Sequence, residues 1–184
     1  MTSARHLARH LARPVAGALL TLLTLGAADR LAAQAHDHAA PAAGAAVAQS
    51  PDAQSAVATI KALFAAAERK DLAALDTLYA GDSLLVFEGA GVNRGWKDYR
   101  DNHLGPELKE FANFKYRPFE IDARVSGDLA WVTFRYALSA DAGERKVDVV
   151  GRGTAILERR GPKWVVRLTH TASRARRPND PPMP

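Results

Sequence analysis

Apolar residues recur at intervals of three and four from Val57 onward, through Ile60, Leu63, Phe64 and Ala67, which is the spacing of one helix face. Ser50-Pro51-Asp52 stands just before this run. A capping hydroxyl, a proline at the first helical position and an acid in the first turn predict that the helix starts there. Asp71 can cap a second helix carrying Leu72, Leu75, Leu78 and Tyr79, closed by Gly81-Asp82. Leu84 to Glu88 predicts a short strand, and Gly89, Gly91 and Gly95 predict a loop after it. Residues 96–104 predict a third helix, interrupted at Gly105-Pro106, with a further short turn over 106–111. Beyond that point the pattern turns to strands, over 114–125, 129–139, 145–158 and 163–173. Ser126-Gly127-Asp128, Asp141-Ala142-Gly143 and Gly161-Pro162 separate them as turns. These elements predict an α+β domain of roughly 125 residues, with helices on one face of an antiparallel sheet. The concavity between the layers is the default place for a ligand.

The pattern upstream of Ser50 is different. Arg5, Arg9 and Arg13 come first, with no acid among them, and an apolar run from Val15 to Ala28 follows. Ala33-Gln34-Ala35 then supplies a small-x-small exit. This order reads as a secretory signal peptide over residues 1–35 and places the mature chain in the periplasm or outside the cell. The run falls short of the roughly 20 apolar residues that span a bilayer, so no membrane span is expected. Residues 36–50, rich in alanine, read as a flexible leader, residues 51–175 as the folded domain, and residues 176–184, rich in proline, as a disordered tail.

Composition changes the picture in two places. The chain has 184 residues and no cysteine, which excludes disulfides, thiolate metal sites and a thiol nucleophile. Its net charge is +5, and loss of residues 1–35 lowers that to +2, so the basic excess is partly an export signal. No nucleic-acid partner is expected.

The segment Ala65-Ala66-Ala67-Glu68-Arg69-Lys70-Asp71-Leu72, the run from Leu75 to Phe87, the turn and strand Ser126-Gly127-Asp128-Leu129-Ala130-Trp131-Val132, and the last two strands follow one another in a telling order. Those strands contain Gly151-Arg152-Gly153-Thr154-Ala155-Ile156-Leu157-Glu158-Arg159 and Trp164 to Ser173. From about Ser55 to Arg174 the chain resembles the nuclear transport factor 2-like superfamily, in its SnoaL-like and ketosteroid-isomerase-like branch. The resemblance implies a cone-shaped, strongly curved antiparallel sheet packed on three N-terminal helices and enclosing a pocket. It also implies a small organic ligand and a homodimer formed through the sheet. Members of the superfamily include isomerases, dehydratases, cyclases, hydrolases and proteins without catalysis, so the fold leaves the activity open. The paired carboxyls and tyrosine of the isomerases have no motif here that transfers them residue by residue.

Three residues are candidates for acid–base chemistry. Strict alternation puts Trp164, Val166, Leu168 and His170 on one face of the last strand, which predicts an inward His170. It is either a proton-transfer group or a core histidine bonded to one acceptor. Glu88 follows Leu84 and Val86 on one face of its strand and is either a carboxyl with a raised pKa or an exposed strand end. Trp96, Tyr99 and His103 share a helix face, giving an aromatic wall and a second imidazole, or simply packing with His103 at the rim.

Among further pocket candidates, Asp148 and Arg152 share one strand face and Trp131 and Arg135 another. The arginines suit a carboxylate or phosphate, or else form structural pairs with Asp148 or Glu120. Glu88, His103 and His170 would suit a divalent metal if they converged, though no local metal spacing supports this. The run Gly89-Ala90-Gly91-Val92-Asn93-Arg94-Gly95 is spaced GxGxxxG and is followed by no βαβ alternation, which excludes a dinucleotide site. No cofactor is expected. Cleavage after Ala35 would expose His36-Asp37-His38, whose amine, amides and His38 imidazole suit square-planar Cu(II) or Ni(II).

These features support two functional readings. One is an exported small-molecule-binding protein with acid–base chemistry of the isomerase, dehydratase or hydrolase kind. The other is a non-catalytic dimerisation module that uses the outer sheet.

Overall fold

The computed structural model describes residues 49–183. The expected signal peptide, nearly all of the expected leader, and His36 and His38 lie outside the described residues. Helix α1 (Pro51–Glu68) begins as predicted, with the Ser50 hydroxyl accepting from the Ala53 N–H at 3.2 Å. Helix α2 (Leu72–Leu78) is capped by Asp71, which accepts from the Ala74 N–H at 2.9 Å. Strand β1 (Leu85–Glu88) follows.

The glycine-rich segment expected to be a loop is a hairpin. β2 (Gly91–Arg94) folds back on β1, with Glu88 opposite Gly91 and Val86 opposite Asn93. Gly89 takes the left-handed φ of 56° that this reversal needs. β2 has no apolar alternation, so no pattern marked it as a strand.

The third helical segment also departs from expectation. α3 (Trp96–Tyr99) continues through a π-helical turn (Arg100–Leu104) directly into α4 (Gly105–Glu110), so Gly105-Pro106 does not break it. The wider turn accommodates Pro106, which has no N–H to donate. It also depends on Gly105, where a Cβ would lie 2.4 Å from the Arg100 carbonyl oxygen.

Strands β3 (Phe111–Ser126), β4 (Leu129–Ala142), β5 (Arg145–Arg160) and β6 (Lys163–Ala175) complete a six-stranded sheet in the order β2-β1-β6-β5-β4-β3. Among the six described strands, β1 and β6 are the pair that runs parallel. β3 is an edge strand, which is where Pro118 is tolerated. The sheet curves into a cone around α1, and Phe64 from α1 fills the axis. Its ring centroid lies 4.2 Å from Tyr116 and 5.3 Å from Phe134. Gly151 and Gly153 make this possible. They stand opposite Tyr136 and Phe134, whose rings lie where a Cβ would come within 2.2 and 2.4 Å.

β6 carries one extra residue, Arg167. Val166 pairs with Leu157 and Leu168 pairs with Ile156, so the alternation changes face between them. Trp164 and Val166 face inward before the bulge and Thr169 after it.

Residues from the end of β6 into 176–183 are joined by ion pairs. Arg174 donates two bonds to the Asp180 carboxylate at 2.6 and 2.7 Å, and Arg176 donates to Asp148 at 2.7 Å. Among the described residues no helix is long and apolar enough to cross a membrane.

Candidate functional site

Three elements deliver polar groups to one lip of the cone. β1 presents Glu88 on the same face as the buried Val86. The π-helical turn presents His103, and α4 presents Glu107 one helical turn further on. The His103 Nε2 lies 3.8 Å from a Glu88 oxygen and 3.5 Å from a Glu107 oxygen. Its Nδ1 lies 2.7 Å from Asn93 Oδ1. The amide of Asn93 is turned by Asp98, whose Oδ2 accepts from Asn93 Nδ2 at 3.0 Å. That leaves the Asn93 oxygen for the imidazole, so Nδ1 carries the hydrogen and Nε2 faces the two carboxylates. Hydrogen bonds from Asn102, Asn93 and the Arg94 N–H hold the Asp98 carboxyl below its ordinary range, which keeps it an acceptor.

Aromatic rings back this polar lip. Tyr99 meets the His103 ring edge to face at 5.2 Å, and Tyr79 stacks on Trp96 at 4.6 Å. Trp96 is anchored by its indole N–H, which donates to Asp76. Deeper in the cone, Tyr116 meets Tyr136 edge to face at 5.4 Å. Burial pushes the Tyr79, Tyr99, Tyr116 and Tyr136 hydroxyls above their ordinary pKa, and the Glu88 charge adds to each shift. These hydroxyls are therefore proton-bearing donors at neutral pH. Tyr136 also bonds Ser173 and Thr171, a smaller effect in the opposite direction. Burial raises the Glu107 pKa, and Glu88 raises it further. The site thus combines a carboxyl pair, an oriented imidazole and neutral phenols at an aromatic wall, the groups needed to take a proton from one atom and return it to another.

The structure brings together Glu88, His103, Tyr99 and Trp96 from the residues singled out above. His170 is not among them. The Arg167 bulge turns it outward, opposite Phe87 and Thr154, on the other side of the sheet from Glu88. The grouping of Glu88, His103 and His170 around a metal is corrected for the same reason. Among the described residues no set of three or more such side chains is arranged to hold a metal ion. Trp131, Arg135, Asp148 and Arg152 all lie on the outer face. There Arg135 pairs with Glu120 at 3.0 Å, so the structural-pair reading applies to Arg135, whereas Asp148 pairs with Arg176 at 2.7 Å and not with Arg152. Asn93, Glu107, Tyr79, Tyr116 and Tyr136 were not singled out. Only the His103/Glu107 spacing of four offered a signal in advance.

The SnoaL-like domain family matches residues 57–173, most of the chain and all of the elements that build this lip. The chain belongs to that family. A search of curated protein sequences finds no match. Solved structures of other proteins show the same fold. A candidate ketosteroid isomerase from Shewanella frigidimarina shares 19% identity, with 64% of this chain and 94% of that one covered and a TM-score of 0.58. A candidate dehydratase of the nuclear transport factor 2-like family from Streptomyces avermitilis gives 18%, 65%, 94% and 0.59 for the same measures. A nuclear transport factor 2-like superfamily protein from Salmonella enterica gives 16%, 67%, 91% and 0.61. At such identities the likeness shows that this SnoaL-like domain is an α+β cone. Its chemistry has to be argued from its own residues.

Proposed function

We propose that this SnoaL-like protein is exported and binds a small, largely apolar organic molecule at the lip of its cone, where it moves a proton on that molecule. The observation that carries the reading is the meeting of Glu88, His103 and Glu107 around one imidazole nitrogen, in front of a tyrosine and tryptophan wall. The reaction class is isomerisation or dehydration. In either, His103 Nε2 takes a proton from a carbon beside an electron-withdrawing group. In isomerisation the proton returns to another carbon. In dehydration a proton goes to the departing hydroxyl, which leaves as water. The raised pKa of Glu107 suits the donor role and the neutral phenols suit a developing oxyanion.

The test incubates the protein with a panel of cyclic enolisable ketones and β-hydroxy ketones in D₂O and follows deuterium uptake and water loss by mass spectrometry. Turnover of one panel member should fall at least about 100-fold in His103→Ala and in Glu88→Gln, with the fold retained by circular dichroism. Folded variants that turn over as fast as the wild type overturn the reading. The second reading, a dimerisation module, is favoured by the outer face, where Trp131 is 45% and Leu129 53% exposed.

A further inference from the structure

The strand register lays the outer face out in rows. Arg135 on β4 stands directly opposite Arg152 on β5, which stands opposite Ala172 on β6. One row away, Thr133, Thr154 and His170 are aligned in the same way. On the other side lie Ala137, Val150 and Arg174. Two adjoining grooves follow this layout, one of about 320 Å³ and one of about 430 Å³, and Arg135, Arg152 and Ala172 line both. Ala172 explains the space, since its methyl group leaves the middle of the β6 row empty between His170 and Arg174.

The charges in this hollow do not balance. Like charges directly opposite on neighbouring strands repel. Glu120, which also borders the larger groove, accepts from Arg135 Nη1 at 3.0 and 3.3 Å. The Arg135 guanidinium also lies 4.9 Å from the centre of the Phe119 ring. Arg174 is answered by the Asp180 carboxylate, to which it donates two bonds. Arg152 makes no ion pair among the described residues, so one guanidinium is left facing a hollow that Thr133, Thr154 and His170 also border. A planar guanidinium with its donors free fits a carboxylate or phosphate in bidentate fashion.

We propose that this outer-face hollow binds a small organic oxyanion, a carboxylate or phosphate held between Arg152 and Arg135. The site lies on the opposite side of the sheet from the Glu88–His103 lip, and it stands whether or not that lip is catalytic.

Isothermal titration calorimetry with citrate and with inorganic phosphate, each against chloride of matched ionic strength, tests it on the full exported chain. Saturable binding of at least one of the two is expected, and the stronger binder reveals which oxyanion the site prefers. Arg152→Gln should weaken that binding by about tenfold or more. Lys163→Gln, which removes an exposed cation outside the hollow, should leave it unchanged. Absence of saturable binding, or equal weakening by both substitutions, overturns the proposal. A crystal structure of the wild type grown with the tighter-binding anion gives a readout that needs no variant. Density bridging Arg135 and Arg152 supports the site, and an empty hollow there overturns it.

Discussion

Glu107 shows how much a single side chain depends on its surroundings. It lies one helical turn beyond His103, partly buried, with the Glu88 charge nearby. Both effects raise its pKa, so the folded protein holds this proton to higher pH than the unfolded chain does. The stabilisation from this group is therefore complete below the ordinary carboxylate range and is lost as pH rises through the raised value. Glu107→Gln removes that loss. Its Tm should exceed the wild-type value near pH 7, and the two should converge below about pH 4, as measured by calorimetry across that range. At this scale the sequence was only partly informative. Glu88 stands out because it ends the apolar run Leu84 to Phe87 on the side of Leu84 and Val86, and Trp96, Tyr99 and His103 because one helix face aligns them. Asn93 was hidden in a strand without apolar alternation. Tyr79, Tyr116 and Tyr136 converge only once strand register is known, and register is not written in local spacing.

Among the elements, α1 carries the fold. Its buried side chains Ile60, Leu63 and Phe64 fill the concave side of the sheet, and Phe64 touches three aromatic rings from β3 and β4. Phe64→Ala should cost about 3–5 kcal/mol, read from urea unfolding, because rings fixed on the rigid strands cannot close the gap. The cap and periodicity of α1 were fully legible, as were the four long strands, whose turns carry glycines with positive φ at Gly127, Gly143 and Gly161. The helix through Gly105-Pro106 was not. A proline there signals a break when only α-helical geometry is considered, whereas a π-helical turn absorbs it. That turn carries His103, so the least legible stretch of backbone is also the one that completes the lip.

For the whole molecule, the order of helices and strands predicts an α+β domain with helices on one face of an antiparallel sheet, and the cone itself is what the resemblance to the nuclear transport factor 2-like superfamily implies. The basic start, apolar run and small-residue exit favour export, and native mass spectrometry of protein secreted into a bacterial periplasm tests it. The expected mass is that of residues 36–184, and retention of residues 1–35 would contradict cleavage. The same spectrum reports whether the chain is a monomer or a dimer. The extra residue at Arg167 has a consequence for how this chain can change over time. It acts as a parity bit for the end of β6. Before it, even-numbered positions belong to the lumen. After it, odd-numbered ones do, so Thr169, Thr171 and Ser173 join the tyrosines while His170, Ala172 and Arg174 join the outer hollow. Losing that one residue would exchange the two sets and exchange the chemistry of both faces at once. A lineage can therefore change residues along this strand one face at a time, but it cannot insert or delete a single residue there without rewriting both surfaces.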